Sequence, residues 1–150
     1  LGQPGNATTA AEILSRGTYL GVPAEIIDRS LSGRLIISPR GEERQVDRFI
    51  EFFAGAATFP WKSQAAWIGS QMAARMGLDR TEAIRKARAV FRTDLYRLHL
   101  SQTTCDLPGA SEKIEGSLAR ETAVASESGQ LFLQPDRFFD GLVFDPAPPN

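Results

Sequence analysis

Apolar positions along the chain recur mostly at helical spacing, with only short runs that suit a strand. Val46, Phe49, Ile50 and Phe53 fall at three-and-four intervals with charged residues between them, and Gly55 follows. That pattern predicts a helix with one buried face. Ala65, Ile68, Met72 and Met76 define a second such face, and Gly77 stands where a C-terminal glycine belongs. Asp79 and Glu82 have capping-box spacing ahead of a third helix. Its apolar side runs through Ile84, Ala87 and Phe91, while Arg85, Lys86, Arg88 and Arg92 face outward. Thr93 restarts the chain as a separate helix through Leu100. Helices are therefore expected over most of residues 46–100, with a break near Arg92 or Thr93. The expected core is Phe49, Ile50, Phe53, Ile68, Met72, Ile84 and Phe91.

The flanking regions carry shorter signals. Thr9 with Glu12 spells a capping box for a short helix bearing Ile13 and Leu14 and ending near Gly17. Pro23 suits the first turn of another, with Ile26, Ile27 and Leu31 on one side and Gly33 at its end. Residues 34–38 are apolar and β-branched enough for a strand, and Pro39-Arg40-Gly41 is the turn of a small hairpin or edge strand. Residues 101–130 lack periodicity and are expected to be loop with one weak helical turn. Two short apolar pieces, 131–133 and 141–144, bracket Phe138-Phe139, and the proline-rich end does not continue a helix. The fold class that follows is mainly α with a few short β strands.

Composition narrows the chemistry more than it identifies it. With 150 residues and 42% hydrophobic content, the chain buries one core of ordinary size, and a net charge of −1 gives no general attraction to nucleic acid or an anionic membrane. No apolar run approaches the roughly 20 residues of a membrane span. The start at Leu1, without methionine or a basic-then-apolar leader, reads as a processed or truncated chain. Cys105 is the single cysteine, so an internal disulfide and every multi-cysteine metal site are excluded. No metal or cofactor is expected. His99 is the single histidine, in a segment without a nucleophile elbow, and no catalytic residue is assigned. Neither GxGxxG nor GxxxxGK[ST] occurs.

One stretch does suggest a site. Phe59-Pro60-Trp61-Lys62-Ser63-Gln64 is where a loop becomes a helix, with Pro60 favouring extended backbone at Phe59 and Ser63 able to cap. A lysine at a helix mouth is locally unfavourable unless an anion arrives to use both charges. Lys62, Trp61 and Ser63 are therefore the candidate ligand-binding residues. From residues alone, a solvated Lys62 beside packed Phe59 and Trp61 is the plainer account. A rival signal is the run from Gln71 to Thr81, which has glycine in a turn before a basic helix. It resembles a helix-turn-helix in which Arg80, Arg85, Lys86 and Arg88 would meet DNA, although its apolar register is displaced by about one residue.

The residues of 53–68, Phe-Ala-Gly-Ala-Ala-Thr-Phe-Pro-Trp-Lys-Ser-Gln-Ala-Ala-Trp-Ile, followed by Ser70-Gln71-Met72, resemble the C-terminal part of the nitrate- and bicarbonate-binding proteins of bacterial ABC importers. Val22-Pro23-Ala24-Glu25-Ile26-Ile27 with Leu31-Ser32-Gly33-Arg34, Phe91-Arg92-Thr93-Asp94-Leu95-Tyr96-Arg97 and Phe138-Phe139-Asp140-Gly141-Leu142-Val143-Phe144-Asp145-Pro146 resemble other family segments in the same order, so the likeness covers most of residues 21–146. The likeness implies that residues 1–150 are the C-terminal portion of a two-lobed solute-binding protein, a segment of a type II periplasmic-binding-protein α/β fold whose earlier portion is absent. Exposed apolar surface is implied with it. The family's nitrate-binding members place a lysine in the loop that matches Lys62, and bicarbonate-binding members an acidic residue. The implied ligand is a small oxyanion, nitrate or nitrite ahead of bicarbonate, and the implied partner is an ABC permease in the periplasm. Related cytoplasmic chains act as nitrate sensors that hold an RNA-binding antiterminator, and the absence of an export signal upstream would favour that role. No nucleic acid partner of this chain and no membrane insertion are expected.

Overall fold

A computed structural model describes residues 4–52 and 54–147. The chain divides into two compact units, Leu1–Ala54 and Gly55–Asn150. It is mainly helical, with two small two-stranded antiparallel sheets. Among the described residues, no helix is long and apolar enough to cross a membrane.

In the first unit, α1 (Ala7–Leu14) packs against α2 (Ala24–Ser32), which leads into β1 (Arg34–Ile36) and its hairpin partner β2 (Glu43–Gln45). Helix α1 starts before Thr9: Asn6 occupies the cap position and no side-chain cap bond forms, so the expected Thr9–Glu12 box is not used. Pro23 sits at the cap of α2, and its carbonyl accepts from the amides of Ile26 and Ile27. Of the expected apolar side of α2, Ile27 is buried, Leu31 is half-buried and Ile26 is exposed. Gly33 ends α2 at φ 71°, and a Cβ there would lie 2.2 Å from the Val46 carbonyl oxygen. Only glycine fits both the left-handed backbone and that approach. The hairpin pairs Arg34 with Gln45 and Ile36 with Glu43, as the Pro39-Arg40-Gly41 turn predicts.

The helix expected from Val46 through Phe53 does not form. The Val46 amide donates instead to the Gly33 carbonyl, which keeps the chain in the hairpin's extension, and Arg48 adopts a positive φ of 56° that a helix does not contain. Phe49 and Ile50 are consequently 49% and 41% exposed, not core. Phe53 lies outside the described residues.

The second unit is organised by α3 (Lys62–Met76), α4 (Arg80–Val90) and α5 (Thr93–Leu100). Gly77 caps α3 in the left-handed region, as its position predicts. Asp79 accepts the Glu82 amide at 2.7 Å to start α4, while the Glu82 carboxylate turns to Arg85 and Lys86 and leaves the second half of the capping box unmade. Phe91 and Arg92 interrupt the helix before α5, at the expected break. The buried face of α3 differs from the expected one: it consists of Ser63, Ala65, Ala66, Gly69, Ser70 and Ala73. A Cβ on Gly69 would meet the Ala83 carbonyl oxygen and the Ala87 Cβ at 2.9 Å each, so α3 and α4 approach through their smallest residues. Ile68 and Met72, expected in the core, are 41% and 50% exposed, and Ile84 and Phe91 are half-buried. Small side chains let the backbones come close, and the large apolar ones are left outward.

The core proper lies elsewhere. Ala56, Phe59, Trp61, Leu131 and Leu133 cluster together, with Tyr96, Leu118 and Val124 packed against them. Residues 101–130 form no helix and instead pack through β3 (Thr122–Ala123), which pairs with β4 (Phe132–Leu133). Asp106 gathers this region by accepting from the Ser126 hydroxyl and the amides of Ser128 and Gln130. Burial pushes its carboxyl up, but these hydrogen bonds outweigh it and hold the group below the usual carboxylate range.

Candidate functional site

Pro60 and the extended backbone of Trp61 bring the chain to α3, whose first residue is Lys62. No acidic side chain lies in that first turn and no side chain caps it, so the positive end of the helix is not neutralised from within. The Lys62 amide is satisfied by the Ser111 carbonyl at 2.9 Å. Lys62 is half-buried as a residue, and among the described residues its ammonium has no carboxylate partner.

Lys62 lines an open groove of about 1590 Å³ together with Arg80, Arg85 and Arg88 of α4 and the segment from Ala110 to Glu112. Residues 144–147 contribute another edge. Basic side chains outnumber the acidic ones, Glu112 and Asp145, and some are already engaged. Arg88 pairs with Glu112 at 2.8 Å and donates to the Pro146 carbonyl at 2.5 Å, while Arg85 is held by Glu82 at 2.6 Å. The same hydrogen bonds from Arg85, then Lys86, bring the Glu82 carboxyl down to about 2. Lys62 and Arg80 remain the cations without a carboxylate partner in the groove among the described residues. Such a groove can hold an anion by charge, but it is too open to enclose a small one alone.

The other two candidates, Trp61 and Ser63, do not face this groove. Trp61 is 5% exposed and packs edge-on to Phe59, with ring centroids 4.8 Å apart. The cation over its ring is Lys113, at 5.9 Å, not Lys62. Ser63 is not the helix cap. It follows Lys62 inside the first turn, fully buried, where its hydroxyl donates to Glu115 Oε1 at 2.5 Å and accepts from the Lys113 amide at 3.1 Å. Trp61 and Ser63 thus shape the turn that presents Lys62, on the inner side of the helix start.

That inner side carries a charged network that the sequence did not reveal. Lys113 Nζ bridges Glu115 Oε2 at 2.6 Å and Asp136 Oδ2, and Asp136 Oδ1 accepts the Leu118 amide at 2.9 Å. Glu115 is 4% exposed, and its backbone pairs with Phe144 through two 2.9 Å hydrogen bonds. Every carboxylate oxygen has a donor, so the network is closed and staples α3 to the segments around 113 and 136. The one signal in the chain was the alternation Lys113-Ile114-Glu115, which places both charges on one face of an extended segment.

Among the described residues no group of His, Cys, Asp and Glu side chains is arranged to hold a metal ion. His99 lies exposed on α5, and Cys105 is a free, half-buried thiol. Profiles of known protein families, curated proteins and solved structures were all compared with the chain, and none matches it.

Proposed function

We propose that this chain is the C-terminal portion of a two-lobed solute-binding protein that captures a small oxyanion, nitrate or nitrite, and delivers it to an ABC permease without catalysing a reaction. The observation that carries the reading is Lys62: a cation without a carboxylate partner among the described residues, at an uncapped helix start, on a groove it shares with Arg80. The openness of that groove suits a half-site that a second lobe closes. Burial of the ammonium against the anion then gives a charge-assisted hydrogen bond worth about 1.5–3 kcal/mol. The fold proposed is a segment of a type II periplasmic-binding-protein fold, and the resemblance of residues 53–72 to nitrate-binding proteins supports both proposals.

Calorimetric titration of nitrate into the full-length protein tests the reading. Lys62→Ala is expected to weaken binding by about tenfold to a hundredfold, and Lys62→Glu by more, because it sets like charge against the anion. Equal affinity in wild type and Lys62→Ala would leave Lys62 an ordinary surface lysine. A cytoplasmic nitrate sensor has the same pocket chemistry, and an export signal upstream of this chain distinguishes importer from sensor. DNA binding through α4 is disfavoured by its own ion pairs, since Glu82 engages Arg85 and Lys86 while Glu112 engages Arg88. Duplex binding that falls steeply with salt would restore that alternative.

A further inference from the structure

We infer that Arg97, a residue outside the groove, positions its wall: from α5 it holds residues 108–111, and through the Ser111 carbonyl it fixes the first turn of α3 that carries Lys62. The guanidinium is almost fully used for this. Its Nη2 donates to the carbonyls of Pro108 at 2.9 Å and Ala110 at 2.7 Å, and its Nη1 donates to the Ser111 hydroxyl at 3.0 Å. Nε adds a longer bond of 3.3 Å to the Pro108 carbonyl. The plane itself is fixed by Phe59, 2% exposed, whose ring centroid lies 5.0 Å from the guanidinium carbon. Thr93, at the start of the same helix, brings its hydroxyl to 3.2 Å from that of Ser111.

The segment needs such a clamp. Gly109 is tied to the Ala125 carbonyl, and Pro108 bridges to Ser126, but Ala110 and Ser111 lie beyond that pairing. Ser111 then both lines the groove and supplies the carbonyl that accepts the Lys62 amide at 2.9 Å. Arg97 therefore acts on Lys62 through Ser111, with no contact to the anion. A lysine does not replace it, because an ammonium lacks the planar fork that spans three acceptors at once. The consequence for binding rests on the oxyanion reading, whereas the consequence for the helix start does not.

Hydrogen exchange at the Lys62 amide in the full-length chain separates the two. Arg97→Ala is expected to speed exchange at Lys62 by about tenfold or more, while the amides of Ala73 and Glu82 keep their wild-type rates. Arg97→Lys, which retains charge and most of the volume, is expected to show an intermediate rise. Guanidinium ion at low millimolar concentration is expected to slow Lys62 exchange again in Arg97→Ala but not in wild type. Nitrate affinity is expected to fall in the same order. An unchanged Lys62 rate in Arg97→Lys, or an equal rise at Lys62, Ala73 and Glu82 in either variant, would overturn the inference. A selective Lys62 effect in a protein whose wild type does not bind nitrate would uphold the clamp and refute the oxyanion reading alone.

Discussion

Lys62 and Ser63 are adjacent in the chain, yet the first turn of α3 delivers them to opposite kinds of surroundings. Ser63 enters a closed network in which its hydroxyl, Glu115, Lys113 and Asp136 satisfy one another. Lys62 enters an open groove where its ammonium has no carboxylate partner among the described residues. The difference teaches how paired and unpaired charge divide a single helix turn. Buried charges that are fully paired hold segments together but have no valence left for a ligand. An unpaired cation at a helix start adds little to stability and is the group an anion would use.

Breaking the closed side is expected to have the largest effect. Glu115→Ala leaves Lys113 with one carboxylate and the buried Ser63 hydroxyl without its acceptor, and is expected to cost about 3–5 kcal/mol in urea unfolding. A loss near zero would mean that the network is ornamental. Gly69→Val tests the seam that sets the helix start in place: with less than 3.0 Å free for even a Cβ, it is expected to cost about 1–3 kcal/mol. Wild-type stability in that variant would show that α3 and α4 do not approach as closely as their small residues allow.

Acid sharpens the comparison further. Because the folded Asp106 carboxyl lies below its unfolded value near 3.9, its contribution is complete above that value and is lost as pH falls through the folded one. The urea midpoint of wild type is expected to drop more between pH 6 and pH 2 than that of Asp106→Asn, and parallel curves would contradict this. Lys62→Ala is expected to have the smallest effect on folding, within about 0.5 kcal/mol. If it cost as much as Glu115→Ala, the division between the two sides would collapse.

Local signals in the sequence carried over well. Gly33 and Gly77 as left-handed caps, Asp79 as an N-cap, the break before Thr93 and the Pro39-Gly41 turn each depend on a few consecutive residues, and each is present. What failed depended on partners distant in sequence. The apolar spacing of Val46, Phe49 and Ile50 was helical, but Val46 was already committed to Gly33. In α3 the spacing identified a stripe of large side chains, whereas Gly69 was the residue another helix could approach. The place of Lys62 at a helix mouth was legible, because it depends on the few residues around Pro60. Trp61 and Ser63 were read as its companions, yet their contacts come from Phe59, Lys113 and Glu115, and only folding brings residues 113 and 115 to the helix start.

Nitrate titration followed by the backbone amide resonances of the full-length protein tests the division at the start of α3 most directly. Saturation is expected to shift Lys62, Arg80 and Ser111 and to leave Glu115 and Asp136, on the closed side, in place. Shifts centred on Glu115 and Asp136, or no shift at Lys62 when nitrate is bound, would contradict it.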